Sequence, residues 1–145
     1  MPSRDATTRW EGDLQTGGGN VTLDSSNAGQ FRVTFPARTG DPDGMTSPEE
    51  LIAAAHSSCL AMNFTGTVKR AGFTPGTVDV SAEVTLGPDP DGGFKLTEIA
   101  VTLVAKVEGL DKDKFAELAA TAEKTCPISK ALAGTTITLD ASLAE

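Results

Sequence analysis

The stretch Ser47-Pro48-Glu49-Glu50-Leu51-Ile52-Ala53-Ala54-Ala55-His56-Ser57-Ser58-Cys59-Leu60-Ala61-Met62 decides the fold. Ser47 has the side chain of an N-cap, Pro48 suits a first helical position, and Glu50 stands three residues after Ser47, the spacing of a capping box. Glu49 and Glu50 place negative charge where the helix dipole favours it. No charged side chain follows until Lys69, and Gly72 supplies a stop signal. These features predict a helix from Pro48 to about Arg70, roughly 35 Å long. Ile52, Ala55, Cys59 and Met62 step by three, four and three residues and so share one face. A helix with so little polar surface is normally buried on most sides. Its small residues, Ala53 to Ala55, Ser57, Ser58 and Ala61, leave room for another backbone to come close.

Something must wrap this helix, and the flanking strands are the candidates. Before it, Thr7–Leu14 reads as a strand anchored by Trp10, Asn20–Asp24 as a second and Gln30–Phe35 as a third. The third has Phe31, Val33 and Phe35 on one face. Pro36–Thr46 reads as a loop that carries Arg38 beside Asp41 and Asp43. After the helix, Thr77–Leu86 and Phe94–Val107 form a hairpin about the turn Gly87–Gly93. The alternation slips between Leu96 and Ile99, as at a bulge. Asp111 can cap a helix to Lys124 with Phe115, Leu118, Ala119 and Ala122 as its apolar stripe. Pro127 then starts a short helix, Ile128–Leu132, and Thr135–Leu143 is a last strand. The order βββ–α–ββ–α–α–β implies an α+β fold with mostly antiparallel sheet, in one domain spanning residues 1–145.

The totals narrow the function. The chain has 145 residues, 39% hydrophobic and 22% charged, the balance of a globular domain. A net charge of −8 argues against a nucleic-acid or anionic-membrane partner, which would want a basic face. Met1–Ala6 is polar and no apolar run approaches a membrane span, so the cytoplasm is the expected compartment. There Cys59 and Cys126 are normally reduced, and a disulfide between thiols is more often transient than structural. One His and two Cys make a poor metal set. No nucleotide-loop, dinucleotide or serine-hydrolase motif occurs, so no bound cofactor is expected.

The chemistry therefore falls to the thiols. Cys126 lies at the start of the helix begun by Pro127, where amide dipoles favour the thiolate. Cys59 lies in mid-helix, where burial raises a thiol's pKa and makes it inert. A buried helical Cys, taken alone, is read first as a small hydrophobe. Reactivity at Cys59 needs a cation. His56, three residues away, and Arg38, on the preceding loop, are the two candidates.

Ser47–Cys59 resembles the signature of the OsmC/Ohr family of thiol peroxidases, with Ser47 where Asn is common. Cys126-Pro127-Ile128-Ser129 resembles the family's second signature, and Trp10-Glu11-Gly12-Asp13 resembles the OsmC branch. The resemblance implies antiparallel sheets wrapped around a long central helix carrying Cys59, in an intertwined homodimer. It implies that Cys59 is the peroxidatic cysteine, attacking an organic hydroperoxide or hydrogen peroxide and becoming a sulfenic acid. Cys126 is then the resolving cysteine, closing a disulfide that an external dithiol reduces, a lipoyl group in Ohr-type members. Arg38 matches the family's activating arginine, with Arg32 and Arg9 as possible substitutes, and Glu49 matches the carboxylate that holds it. His56, Ile52 and Met62 would support the substrate pocket. Glu49 and Cys59 lie ten residues apart, roughly 15 Å along one helix, so a partner chain would bring at least one of the charged pair to each Cys59. The competing reading is a non-enzymatic redox sensor or stress-binding module using the same cysteine pair.

Overall fold

The computed structural model describes residues 1–145. The chain forms two compact units, Met1–Leu51 and Ile52–Glu145. Helix α2 (Pro48–Arg70) begins in the first and continues through the second.

The first unit is a three-stranded antiparallel meander of β1 (Thr7–Glu11), β2 (Gly18–Thr22) and β3 (Gln30–Val33). The first strand stops at Glu11, short of the expected Leu14. Asp13 ends it by accepting hydrogen bonds from the Gln15 and Thr16 amides at 2.9 and 2.7 Å, a side-chain-built turn that competes with the ladder. Trp10, read as the strand's apolar anchor, is not buried. It sits on an edge strand exposed along its whole length and is itself 39% exposed. The expected loop after β3 begins as a short helix, α1 (Phe35–Thr39). Thr34 Oγ1 accepts the Ala37 amide at 3.3 Å and Pro36 occupies the first turn. Phe35 thus leaves the strand, because Thr34-Phe35-Pro36 is itself a helix start.

Helix α2 has the predicted bounds. Ser47 Oγ accepts the Glu50 amide at 3.1 Å. The reciprocal half of the capping box is missing, because the Glu50 carboxylate accepts the Thr46 hydroxyl at 2.6 Å instead. The helix ends in a Schellman turn. The Gly72 amide bonds the Lys69 carbonyl and the Phe73 amide the Val68 carbonyl. Gly72 adopts φ +92°, open to glycine at no steric cost.

In the second unit, β4 (Pro75–Pro88), β5 (Phe94–Val107) and β6 (Thr136–Leu143) form a sheet in that order. β4 and β5 pair antiparallel with the expected bulge, where Thr85 faces Glu98 and Leu86 faces Leu96. β6 pairs parallel to β5, the one parallel pairing in sheets that are otherwise antiparallel, as expected. The chain leaves β5 and returns through α3 (Lys112–Thr125) and α4 (Pro127–Ala131), a helical crossover of the kind parallel strands require. Asp111 caps α3 through the Lys114 amide at 2.8 Å, as expected. The fold is α+β, with two small sheets and four helices.

The core of the second unit joins three surfaces. Ile99, Val101, Leu103, Ala105 and Val107 point inward from β5 at period two. Phe115, Leu118, Ala119 and Ala122 cover them from α3, and Leu60, Phe64 and Val68 from α2. Phe64 meets Phe115 edge to face, with centroids 5.6 Å apart. The most buried stripe of α2 is therefore His56, Leu60, Phe64, Thr67 and Val68, not the Ile52-Ala55-Cys59-Met62 face read from spacing. The bulky residues one turn apart take the core side, each contributing roughly 1.5–3 kcal/mol by burial. Met62 is turned out and is 71% exposed. No helix is long and apolar enough to cross a membrane.

Candidate functional site

Two helix ends and one helix face bring the cysteines together. Cys126 closes α3 as its C-cap and opens α4 as its N-cap. Cys59 lies mid-way along α2. Their sulfurs are 3.1 Å apart, both thiols are reduced, and Cys126 is wholly buried while Cys59 is partly so. Closing them to a covalent bond needs an approach of only about 1 Å.

Polar ties one turn either side of Cys59 fix this approach. Asn63, four residues after Cys59, donates to the Ala122 carbonyl at 2.6 Å and to Thr125 Oγ1 at 2.8 Å. That holds the end of α3 against α2. His56, three residues before Cys59, has Nε2 at 2.7 Å from Ser129 Oγ and so holds α4. The sequence reading passed over Asn63 and did not single out Ser129. The available signals were a lone amide four residues from Cys59 on a nearly apolar helix, and a hydroxyl three residues after Cys126.

The two thiols differ electrostatically. Burial pushes the Cys59 thiol up and Cys126 adds to that, while the Ile128 amide opposes. Burial also acts upward on Cys126, but the Ser129 amide, the Cys59 thiol, the Ser129 hydroxyl and the Ile128 amide together bring it below its ordinary value. No amide closes a full cap hydrogen bond onto Cys126. The effect is that of polar groups gathered round the sulfur at a helix start. His56 is fully buried, and burial lowers its pKa against a weaker upward pull from Glu123. It is held neutral and does not supply Cys59 with positive charge. Its Nδ1 has no partner.

The charged pair lies in the first unit. Arg38, in the last turn of α1, grips Glu49, in the first turn of α2. Its Nε lies 3.1 Å from both carboxylate oxygens and its Nη2 lies 2.7 Å from Oε1. Glu49 is buried to 8% exposure, and its hydrogen bonds hold the Arg38 guanidinium above its ordinary pKa. Of the substitutes, Arg9 pairs with Glu11 at 3.2 Å at the surface, and Arg32 lies on β3. A cavity of about 360 Å³ in the same unit is walled by Trp10, Leu14, Val21, Val33 and Phe35, with Arg38 as its one charged lining residue. Ile52, His56 and Met62 do not line it. No group of three His, Cys, Asp or Glu side chains is placed to hold a metal ion.

The chain is similar to known proteins in sequence and in fold. The family described as OsmC-like protein matches residues 40–140. The chain is 39% identical to the peroxiredoxin OsmC of Escherichia coli (strain K12) over 92% of each sequence. It is 32% identical to the organic hydroperoxide resistance protein OhrB of Bacillus subtilis (strain 168), over 80% of this chain and 82% of that one. Among solved structures, an organic hydroperoxide resistance protein from Elizabethkingia anophelis superposes with a TM-score of 0.79. It is 28% identical, covering 99% of this chain and 98% of that one.

Proposed function

We propose a two-cysteine cycle for a chain that belongs to the OsmC-like family and is a thiol-dependent peroxidase. Cys59 attacks the terminal oxygen of a hydroperoxide. The O–O bond breaks, an alcohol departs, and Cys59 becomes a sulfenic acid. Cys126 displaces the hydroxyl to form the Cys59–Cys126 disulfide, and an external dithiol, a lipoyl group among the candidates, restores both thiols. One observation carries this reading. Two reduced sulfurs stand 3.1 Å apart, each on a differently positioned helix, with polar ties fixing both.

Arg38 has the role of the activating cation. Burial alone makes Cys59 a poor nucleophile, and a guanidinium favours the charged form of a desolvated thiol. Glu49 orients that guanidinium by a bidentate grip. The relatives named for organic hydroperoxide resistance, together with an apolar cavity bearing Arg38, favour an organic hydroperoxide over hydrogen peroxide as substrate. Ile52, His56 and Met62 do not line that cavity, so any support they give the substrate is on α2 beside Cys59. The functional form is a cytoplasmic homodimer in which residues 1–145 act as one domain, sheets wrap the long helix, and a partner supplies charge to each Cys59. The exposed Ala54, Ala55, Ser58 and Met62 side of α2 suits burial by a second copy.

Turnover of cumene hydroperoxide with dihydrolipoamide, and then with dithiothreitol, tests the cycle. Multiple turnovers that vanish in Cys59→Ser are expected. One oxidation per chain without turnover would point to a redox sensor instead.

A further inference from the structure

We propose that Asn63 is a positioning residue for the Cys59–Cys126 couple, its side-chain amide taking the place of a backbone amide where α3 stops. The proposal rests on the two-cysteine cycle above and concerns how readily its disulfide closes.

The place of Cys126 is set by a break between two helices. Pro127 disfavours helical backbone at the residue before it, and Cys126 is extended, with φ −63° and ψ 121°. In a continuing α-helix the Cys126 amide would donate to the Ala122 carbonyl, four residues back. Here it donates to the Glu123 carbonyl instead, at 3.3 Å. The Cys126 carbonyl accepts the Lys130 amide at 3.0 Å and so opens α4. The break leaves the carbonyl of the wholly buried Ala122 without its helical donor. Asn63 Nδ2 donates to it at 2.6 Å.

A carboxamide nitrogen has a second hydrogen to place. It goes to Thr125 Oγ1 at 2.8 Å, whose own proton goes to the Thr121 carbonyl at 2.8 Å. Both donors of Asn63 are thus spent on the last turn of α3, the turn that leads into Cys126. Asn63 itself stands one turn after Cys59 on α2, on the same side. One side chain therefore ties the turn beside the first sulfur to the turn that carries the second. The sulfurs are 3.1 Å apart, and a disulfide needs about 2.05 Å. An apolar side chain of the same size would fill the space, leave a buried carbonyl unpaired and free the end of α3 to draw back.

In the cycle the Cys126 sulfur attacks the Cys59 sulfenic sulfur, the S–S bond forms, and the departing hydroxide takes up the Cys126 proton as water. With oxidised dithiothreitol the two thiols give up two electrons and two protons, the protein S–S bond forms and the reagent's S–S bond breaks. Asn63 gives no proton and takes none in either reaction. It raises the effective concentration of one sulfur at the other.

Equilibration of the protein with oxidised and reduced dithiothreitol, read by alkylation and mass spectrometry, measures the couple without peroxide. Asn63→Leu is expected to lower the disulfide-to-dithiol ratio about tenfold at fixed reagent. After rapid mixing with cumene hydroperoxide, the rate of disulfide formation relative to sulfenic acid formation should fall by a similar factor. Thr125→Val, at an exposed position, keeps the Ala122 bond and should lower the equilibrium ratio about threefold. A merely structural tie would lower the melting temperature and leave that ratio alone, so an unchanged ratio in folded Asn63→Leu overturns the proposal. Should Asn63→Leu fail to fold, Thr125→Val decides: a fall of the stated size supports the clamp, and an unchanged ratio overturns it. A wild type that forms no Cys59–Cys126 disulfide with dithiothreitol or with peroxide would instead overturn the two-cysteine cycle, and the proposal with it.

Discussion

The two units of this chain solve different problems. Ile52–Glu145 builds a packed core from one helix face, an alternating strand and a second helix, and brings two thiols together there, Cys126 inside the core and Cys59 against it. Met1–Leu51 is a thin meander with an exposed edge strand, yet it holds the tightest ion pair and an apolar cavity. The larger unit is organised by burial, which disfavours a thiolate at Cys59. The smaller one holds charge in place, Arg38 on a nearly buried Glu49. A thiol buried well enough to be positioned is buried too well to ionise unaided.

Substitutions test that division, and the largest effect belongs to the second unit. Cys59→Ser should abolish turnover while leaving the melting temperature near that of the wild type, checked by a peroxide assay and calorimetry. Phe64→Ala, at the centre of the core, should cost about 3–5 kcal/mol in denaturant unfolding. A loss well below that would mean the core is not centred on the α2–α3 contact. Arg38→Gln should slow the first oxidation of Cys59 by about 100-fold with little change in stability. A large stability loss with an unchanged rate would make the ion pair structural and erase the contrast between the units.

Acid gives a smaller and signed effect. His56 is buried neutral with its pKa below the ordinary 6.5, so beneath that pH the unfolded chain binds a proton the folded chain refuses. Stability should therefore fall as pH drops below about 6.5, and His56→Gln should flatten that part of the melting-temperature profile. Identical profiles would show that the imidazole is not held neutral. The smallest effect on a single chain is expected at Met62, which is 71% exposed. Met62→Glu should leave the core intact yet shift the protein toward monomer in sedimentation, if α2 presents that side to a second copy.

Legibility in the sequence followed the same division. The bounds of α2 and β5, the bulge near Leu96 and the Asp111 cap were readable, because each is dictated by local chemistry: caps, alternation and a parity slip. The buried side of α2 was not, because apolar spacing admits two stripes, and the choice between them is made by β5 and α3. Phe35 was misread as strand because alternation with Phe31 and Val33 outweighed the helix start at Thr34 and Pro36. The parallel pairing of β6 depends on where a crossover returns, which no local pattern encodes. In the candidate site, the cysteines and the Arg38–Glu49 pair were named from motif resemblance. Asn63 and Ser129 gained meaning only once α3 and α4 were seen against α2.

The central claim is that Cys59 and Cys126 form one redox couple. Its most direct test is the mass of the intact protein, with its peptide map, after one equivalent of an organic hydroperoxide. The account predicts loss of two hydrogens and a single Cys59–Cys126 linked peptide in the wild type. In Cys126→Ser it predicts one added oxygen on Cys59. A wild type that gains oxygen at either cysteine and never links them would contradict it.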